Sequence, residues 1–196
     1  LPLVLAGKSR TEMRDRLSPL AYDLGIETLL KKYPYEVSGG QKQRAAVARA
    51  LITDPQLILA DEPTKGLDAV VRNQVYDTFC MVRDQYRVGF IVITHDLLLA
   101  RKFCERIVVM YCGRVLETNA ARELFEHPRH PYTQGLIASL PHLGMKPMAG
   151  FSPAFTDQPS GCVFHPRCPY AEARCRHTEP KSIPCGEGSV CCHRYA

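Results

Sequence analysis

The sequence predicts an α/β protein built on a mixed, mainly parallel sheet with helices, followed by a small cysteine-rich C-terminal extension. Two observations carry the first part. Helical and strand-like patterns alternate from about residue 10 to residue 140, and the strand-like runs at 57–60 and 90–93 are wholly apolar. Such runs are expected of strands buried on both faces. A third observation marks the extension. After Pro141 the apolar periodicity fades, proline and glycine become frequent, and six of the nine cysteines fall between Cys162 and Cys192.

Each element has its own reason. Residues 11–24 place Leu17, Leu20, Ala21 and Leu24 on one helical face, with Pro19 a candidate kink. A second helix is expected over 39–52, with Ser38 as its N-cap. Strand 57–60, a long helix over 69–86 and strand 90–93 follow. Residues 107–111 and 114–118 read as a hairpin turning at Cys112-Gly113. Short helices are expected near 120–126 and 132–140. This organises the chain as 1–118, a helical segment 119–141, and a cysteine-rich extension 142–196. The extension carries too little apolar surface to fold by burial alone, so it needs a staple.

Composition narrows the function classes. With 196 residues, 45% of them hydrophobic, the chain can bury a sizeable core. The net charge of +5 is spread rather than blocked, so no nucleic-acid partner is expected. No run approaches the ~18 apolar residues of a membrane span. The opening Leu1-Pro2-Leu3-Val4-Leu5-Ala6 is too short for a secretory signal, and a first residue other than Met hints at missing upstream sequence. Clustered cysteines without an export signal point to metal rather than disulfides. Cys80, Cys104 and Cys112 lie outside the cluster and read as ordinary buried or half-buried residues.

Three short motifs carry chemistry. Ser38-Gly39-Gly40-Gln41 opens a helix whose free N–H groups and positive dipole end suit an anion. Alone, it would read as a simple cap and turn. The first apolar strand ends in Asp61-Glu62-Pro63, placing adjacent carboxylates where α/β proteins bind ligands. There an Asp can hold Mg²⁺ and a Glu can orient or deprotonate a water. The second strand ends in Thr94-His95-Asp96, where a histidine can hydrogen-bond a terminal phosphate.

Taken in order, Ser38-Gly39-Gly40-Gln41, Leu57 to Pro63, Gly66-Leu67-Asp68 and Thr94-His95-Asp96 closely resemble the ABC ATPase family. The resemblance covers roughly residues 10–118 and implies a partial ABC-type P-loop ATPase domain. It implies ATP and Mg²⁺ as cofactors, Glu62 as catalytic base and His95 at the γ-phosphate. Asp61 would help bind Mg²⁺, Ser38, Gly39, Gly40 and Gln41 would face the ATP of a partner subunit, and Asp68 would lie at the dimer interface. One part of the pattern is missing. The phosphate loop G-x-x-x-x-G-K-[ST] would need glycine at Pro2, so Gly7-Lys8-Ser9 reads as coincidence. The chain alone is therefore expected not to hydrolyse ATP.

The segment Glu126 to Leu136, with His130-Pro131-Tyr132-Thr133, resembles ABC ATPases that serve oligopeptide, dipeptide and nickel importers. Those subunits often end in a cysteine-rich tail. By that pattern Cys162, Cys168, Cys175 and Cys192 would hold a [4Fe–4S] cluster, with Cys191 and Cys185 as competitors for the fourth place. Zn²⁺ stays open, because His165, His177 and His193 lie nearby, although no tight C-x₂-C pair is present. The implied function is energising uptake of peptides or a related solute. The implied partners are a second ABC ATPase subunit, transmembrane permease subunits and, indirectly, a solute-binding protein, at the cytoplasmic face of the cell membrane. A catalytically dead ABC-like remnant and a non-transport ABC ATPase carrying a metal module are the alternatives.

Overall fold

The structure, a computed structural model, describes residues 2–154 and 156–196. The chain forms two units, Leu1–Leu99 and Ala100–Ala196.

In the first unit, α1 (Pro2–Leu5) precedes α2 (Arg10–Asp23). Ser9 caps α2: its Oγ accepts from the Glu12 N–H, and the Glu12 carboxylate accepts from the Ser9 N–H. Lys8 pairs with Glu12 at 3.3 Å, so Gly7-Lys8-Ser9 serves as a helix start. Pro19 sits inside α2 without ending it. Next, α3 (Gly39–Leu51) buries Val47, Ala48 and Leu51, and it packs against α4 (Ala69–Tyr86). β1 (Leu57–Asp61) pairs in parallel with β2 (Gly89–Ile93), from Leu57↔Gly89 to Asp61↔Ile93.

These strands are not buried on both faces, as their apolar runs led us to expect. Ile58 is buried and Phe90 stacks on Phe79 of α4 at 5.0 Å. On the other face Leu57, Leu59, Ile91 and Ile93 are 54, 64, 51 and 51% exposed. The period-two pleat sends alternate residues to opposite faces, and α4 covers one of them. Among the described residues the other face carries no such cover.

After α5 (Leu97–Phe103), the second unit is organised by β3 (Arg106–Tyr111) and β4 (Arg114–Ala120). Their two-residue turn places Cys112 and Gly113 at φ 47° and 75°, the left-handed pair that matches strand twist in a tight hairpin. Two short helices follow, α6 (Ala121–Glu126) and α7 (Pro131–Ala138). Near the C-terminus β5 (Ile183–Cys185) and β6 (Gly188–Val190) form a second hairpin. β6 pairs with β4 through Glu117↔Val190 and Thr118↔Ser189, giving a sheet ordered β3-β4-β6-β5. The tail thus extends the sheet of the hairpin before it. Gly188 permits this, because a Cβ there would run into the Thr118 carbonyl oxygen.

Candidate nucleotide site and cysteine cavity

At the start of α3, Ser38 Oγ accepts from the Gln41 N–H at 3.3 Å and Gln41 Oε1 accepts from the Ser38 N–H at 2.9 Å. This reciprocal cap satisfies one orphan donor and leaves the first-turn amides of Gly39 and Gly40 outside the helical ladder. Both glycines allow close packing. A Cβ on Gly39 would lie 2.7 Å from Leu67 Cδ2, and one on Gly40 would lie 2.9 Å from Val71 Cγ1. The capped end of α3 is thereby seated on the loop that carries Gly66-Leu67-Asp68. Asp68 in turn caps α4, accepting from the N–H groups of Val70 and Val71 through one oxygen, each at 2.9 Å.

The strand ends form a second group. The Glu62 N–H donates to the Ile93 carbonyl at 2.8 Å, which ties the end of β1 to the end of β2. Glu62 takes φ 46°, a left-handed backbone that a non-glycine residue adopts at a cost. Its carboxylate meets His95 Nδ1 at 2.7 Å. Asp61 is exposed beside this pair. Asp96 caps α5, accepting from Leu98 and Leu99 N–H, and lies 3.8 Å from Arg72. So Asp61, Glu62 and His95 come together at parallel strand ends, while Ser38, Gly39, Gly40 and Gln41 adjoin the Asp68 loop.

In the second unit, Glu117 is fully buried on β4 and accepts from the N–H groups of Arg129 and His130, both at 2.9 Å. His130 is 1% exposed and caps α7, its Nδ1 accepting from the Tyr132 N–H at 3.0 Å. Loss of hydration on burial lowers its pKa from 6.5 to about 4, so the ring is neutral. Phe164 stands edge-on to His130 at 5.6 Å and to Tyr111 at 5.4 Å. The sequence reading gave Glu117 and His130 no individual role. A buried carboxylate inside a strand was the available signal.

Cys162, Cys168, Cys175 and Cys192 line one cavity, together with His130, His165, Glu172, His193 and Arg194. Cys185 and Cys191 are half-buried and outside that lining. Local backbone bonds shape it: the Cys162 N–H donates to the Cys175 carbonyl at 2.9 Å, and Gly161, at φ 69°, has no room for a Cβ beside that carbonyl. Burial pushes the Cys162 thiol up, a backbone N–H at Phe164 opposes this, and Cys175, Cys192 and Cys168 each push it further up. Burial likewise raises Cys168 and Cys192. Among the described residues no three His, Cys, Asp or Glu side chains are gathered closely enough to hold a single metal ion.

A capped Ser-Gly-Gly helix seated on an Asp68 loop, beside parallel strands ending in Asp61-Glu62 and His95, defines the class: an ABC-type ATP-binding domain. Residues 5–65 match the family described as ABC transporter, and residues 116–175 match the family described as oligopeptide/dipeptide transporter, C-terminal region. The chain belongs to the ABC transporter ATP-binding proteins that carry this oligopeptide/dipeptide C-terminal region. It is 37% identical to the dipeptide transport ATP-binding protein DppD of Haemophilus influenzae, over 95% of this chain and 59% of that protein. It is 36% identical to the di/tripeptide transport ATP-binding protein DppF of Pseudomonas aeruginosa, over 97% of this chain and 61% of that one. With DppD of Escherichia coli it shares 38% identity over 89% of this chain and 56% of the relative. The chain thus spans about three fifths of the length of these relatives. A solved ATP-binding cassette of an ABC transporter, in its ADP conformation, superposes with a TM-score of 0.56 over 65% of this chain and 51% of that one. At 21% identity that likeness concerns the fold. Among the described residues no helix is long and apolar enough to cross a membrane.

Proposed function

We propose that this chain supplies the signature and strand-end parts of an ATPase that energises uptake of peptides or a related solute through a membrane permease. The observation that carries the reading is the 2.7 Å contact of Glu62 with His95 at parallel strand ends, with Asp61 beside it. Asp61 would help hold Mg²⁺, Glu62 would take the proton of the attacking water, and His95 would contact the γ-phosphate. Ser38, Gly39, Gly40 and Gln41 would face ATP held by a second ATPase subunit, with Asp68 at the interface between the two. The subunits would sit on the cytoplasmic face of the membrane against permease subunits, a solute-binding protein acting indirectly.

We read the cysteine cavity as a place where Cys162, Cys168, Cys175 and Cys192 would hold a [4Fe–4S] cluster. Support comes from the four cysteines lining one cavity. A bound cluster would crosslink residues 162–175 to residue 192 and supply a one-electron couple.

Positioning of the triphosphate supplies most of phosphoryl-transfer catalysis, and Lys8 is engaged with Glu12 rather than free in a phosphate loop. The 196-residue chain alone is therefore expected to release no phosphate from ATP above background. Activity that disappears in Glu62→Gln would contradict this.

A further inference from the structure

Beyond the strand ends Glu62 and His95 sit on two loops, and the carboxylate next to His95 reaches from one loop to the other. The Asp96 side chain is only 12% exposed, so its charge needs partners. It divides its two oxygens between them. Oδ1 stays local and caps α5, accepting from the Leu98 and Leu99 N–H groups at 3.1 and 3.0 Å. Oδ2 serves the other loop: the buried Thr64 donates to it through Oγ1 at 3.4 Å, and Arg72 of α4 lies 3.8 Å from it. A plain helix cap would use Oδ1 and leave Oδ2 to water. Here the segment that carries Gly66-Leu67-Asp68 is met at both ends, at Thr64 and at Arg72, by the residue that follows His95. His95 itself is 75% exposed at its side chain, so packing does little to fix it. Glu62 holds φ 46°, a backbone that persists only where its surroundings over-determine it. The Glu62 N–H bond to the Ile93 carbonyl is one such hold, and the Lys65 N–H bond to the Glu62 carbonyl, at 3.1 Å, is a second. The Thr64–Asp96 bond is a third, and it runs directly between the two loops.

We propose that Asp96 is a positioning residue: through Thr64 and Arg72 it holds the loop after β1 and the start of α4 against the loop of His95, and so keeps His95 on Glu62. This rests on the reading of Glu62 and His95 as groups that act on ATP. Without the tie, Glu62 loses one of the contacts that hold its left-handed backbone, and its carboxylate drifts from the histidine. The α5 cap does not depend on that tie, because it uses the other oxygen. The two roles of Asp96 can therefore be separated from the Thr64 side. Misplacing a reacting group by about 1 Å costs on the order of 10²-fold in rate, so a contact that never touches ATP can still govern turnover.

The test uses the full chain labelled with ¹⁵N in histidine and reads the ring signals of His95 by NMR at pH 7, assigned by their loss in His95→Gln. Glu62→Ala gives the reference for a broken contact. Thr64→Val removes the hydroxyl and leaves the α5 cap in place. Asp96→Ser keeps a capping oxygen but is too short to reach Thr64. Both variants should move the His95 signals most of the way to their positions in Glu62→Ala, and the Leu98 and Leu99 amides of Thr64→Val should exchange as in the parent. His95 signals that stay put in Thr64→Val, while those of Glu62→Ala move, would overturn the inference. Signals that Glu62→Ala also leaves in place would overturn the contact and the inference with it. The consequence for the reaction is read in this chain joined in cis to an N-terminal half that carries a phosphate loop. There Thr64→Val should lower kcat about ten- to a hundredfold with KM for ATP unchanged. A parental kcat in Thr64→Val beside a slowed Glu62→Gln would overturn the role of Asp96 alone. A parental rate in Glu62→Gln would overturn the reading of the site on which that role rests.

Discussion

Ser38, Asp61, Glu62 and His95 are legible in the sequence because their motifs are short and local: a cap is read from three following residues and a strand end from the run before it. His130 is not. Its place in the cysteine cavity depends on Phe164, Cys162 and Cys192, all more than thirty positions away, and no local pattern encodes such a meeting. What the sequence shows there is a histidine before a proline, which also suits a plain helix cap. The structure gives that residue a measurable acid response. Its pKa in the fold, about 4, lies below the ordinary 6.5 because burial disfavours the charged ring. A lowered value contributes stability that is complete above pH 6.5 and is lost as the pH falls toward 4. In the metal-free chain this is worth up to about 3 kcal/mol. Urea unfolding at pH 7 and pH 4.5 should therefore show a larger loss for the parent than for His130→Asn, which has no ring to protonate. Equal losses would mean that His130 is not held neutral in the fold.

β4 does work that its sequence only half reveals. Residues 114–118 read as one arm of a hairpin, and so they are, but Glu117 points into the core and β6 joins the far edge. The pairing with β6 was not visible because β6 is three residues long, Gly188-Ser189-Val190, too short for any periodicity. The buried carboxylate satisfies two backbone donors at 2.9 Å each, a charge-assisted arrangement that holds residues 127–131 against the strand. Glu117→Ala leaves both N–H groups buried and unpaired, at a cost of about 1–3 kcal/mol each. Hydrogen exchange at the Arg129 and His130 amides should accelerate by more than a hundredfold in that variant, and by less in Glu117→Gln, which keeps one acceptor. Unchanged exchange in Glu117→Ala would remove the carboxylate from this role. At β1 and β2 the sequence misled in the opposite direction. Leu57, Leu59, Ile91 and Ile93 look like residues of a doubly covered strand, yet a continuous apolar run states only what a strand could bury, not what the described residues place over it.

At the scale of the whole molecule the two units carry different chemistry, nucleotide motifs in Leu1–Leu99 and the cysteine cavity in Ala100–Ala196. For the second unit, anaerobically purified chain should be brown, with iron and acid-labile sulfide in near-equal amounts, and Cys168→Ser should bleach it and raise protease sensitivity after Pro141. Zinc without iron would contradict the assignment. The account as a whole turns on the first unit, whose motifs must act as parts of ATP sites shared between two subunits. The direct measurement joins this chain in cis to an N-terminal half carrying G-x-x-x-x-G-K-[ST], then follows phosphate release and size-exclusion elution with ATP for the parent, Glu62→Gln and Ser38→Arg. Loss of a general base costs on the order of 10²–10⁴ in rate. Glu62→Gln should therefore bind ATP, hydrolyse it at least about a hundredfold more slowly, and elute as a dimer. Ser38→Arg should fill the capped helix end and stay largely monomeric. If both variants hydrolyse ATP and elute as the parent does, the signature and strand-end assignments are wrong.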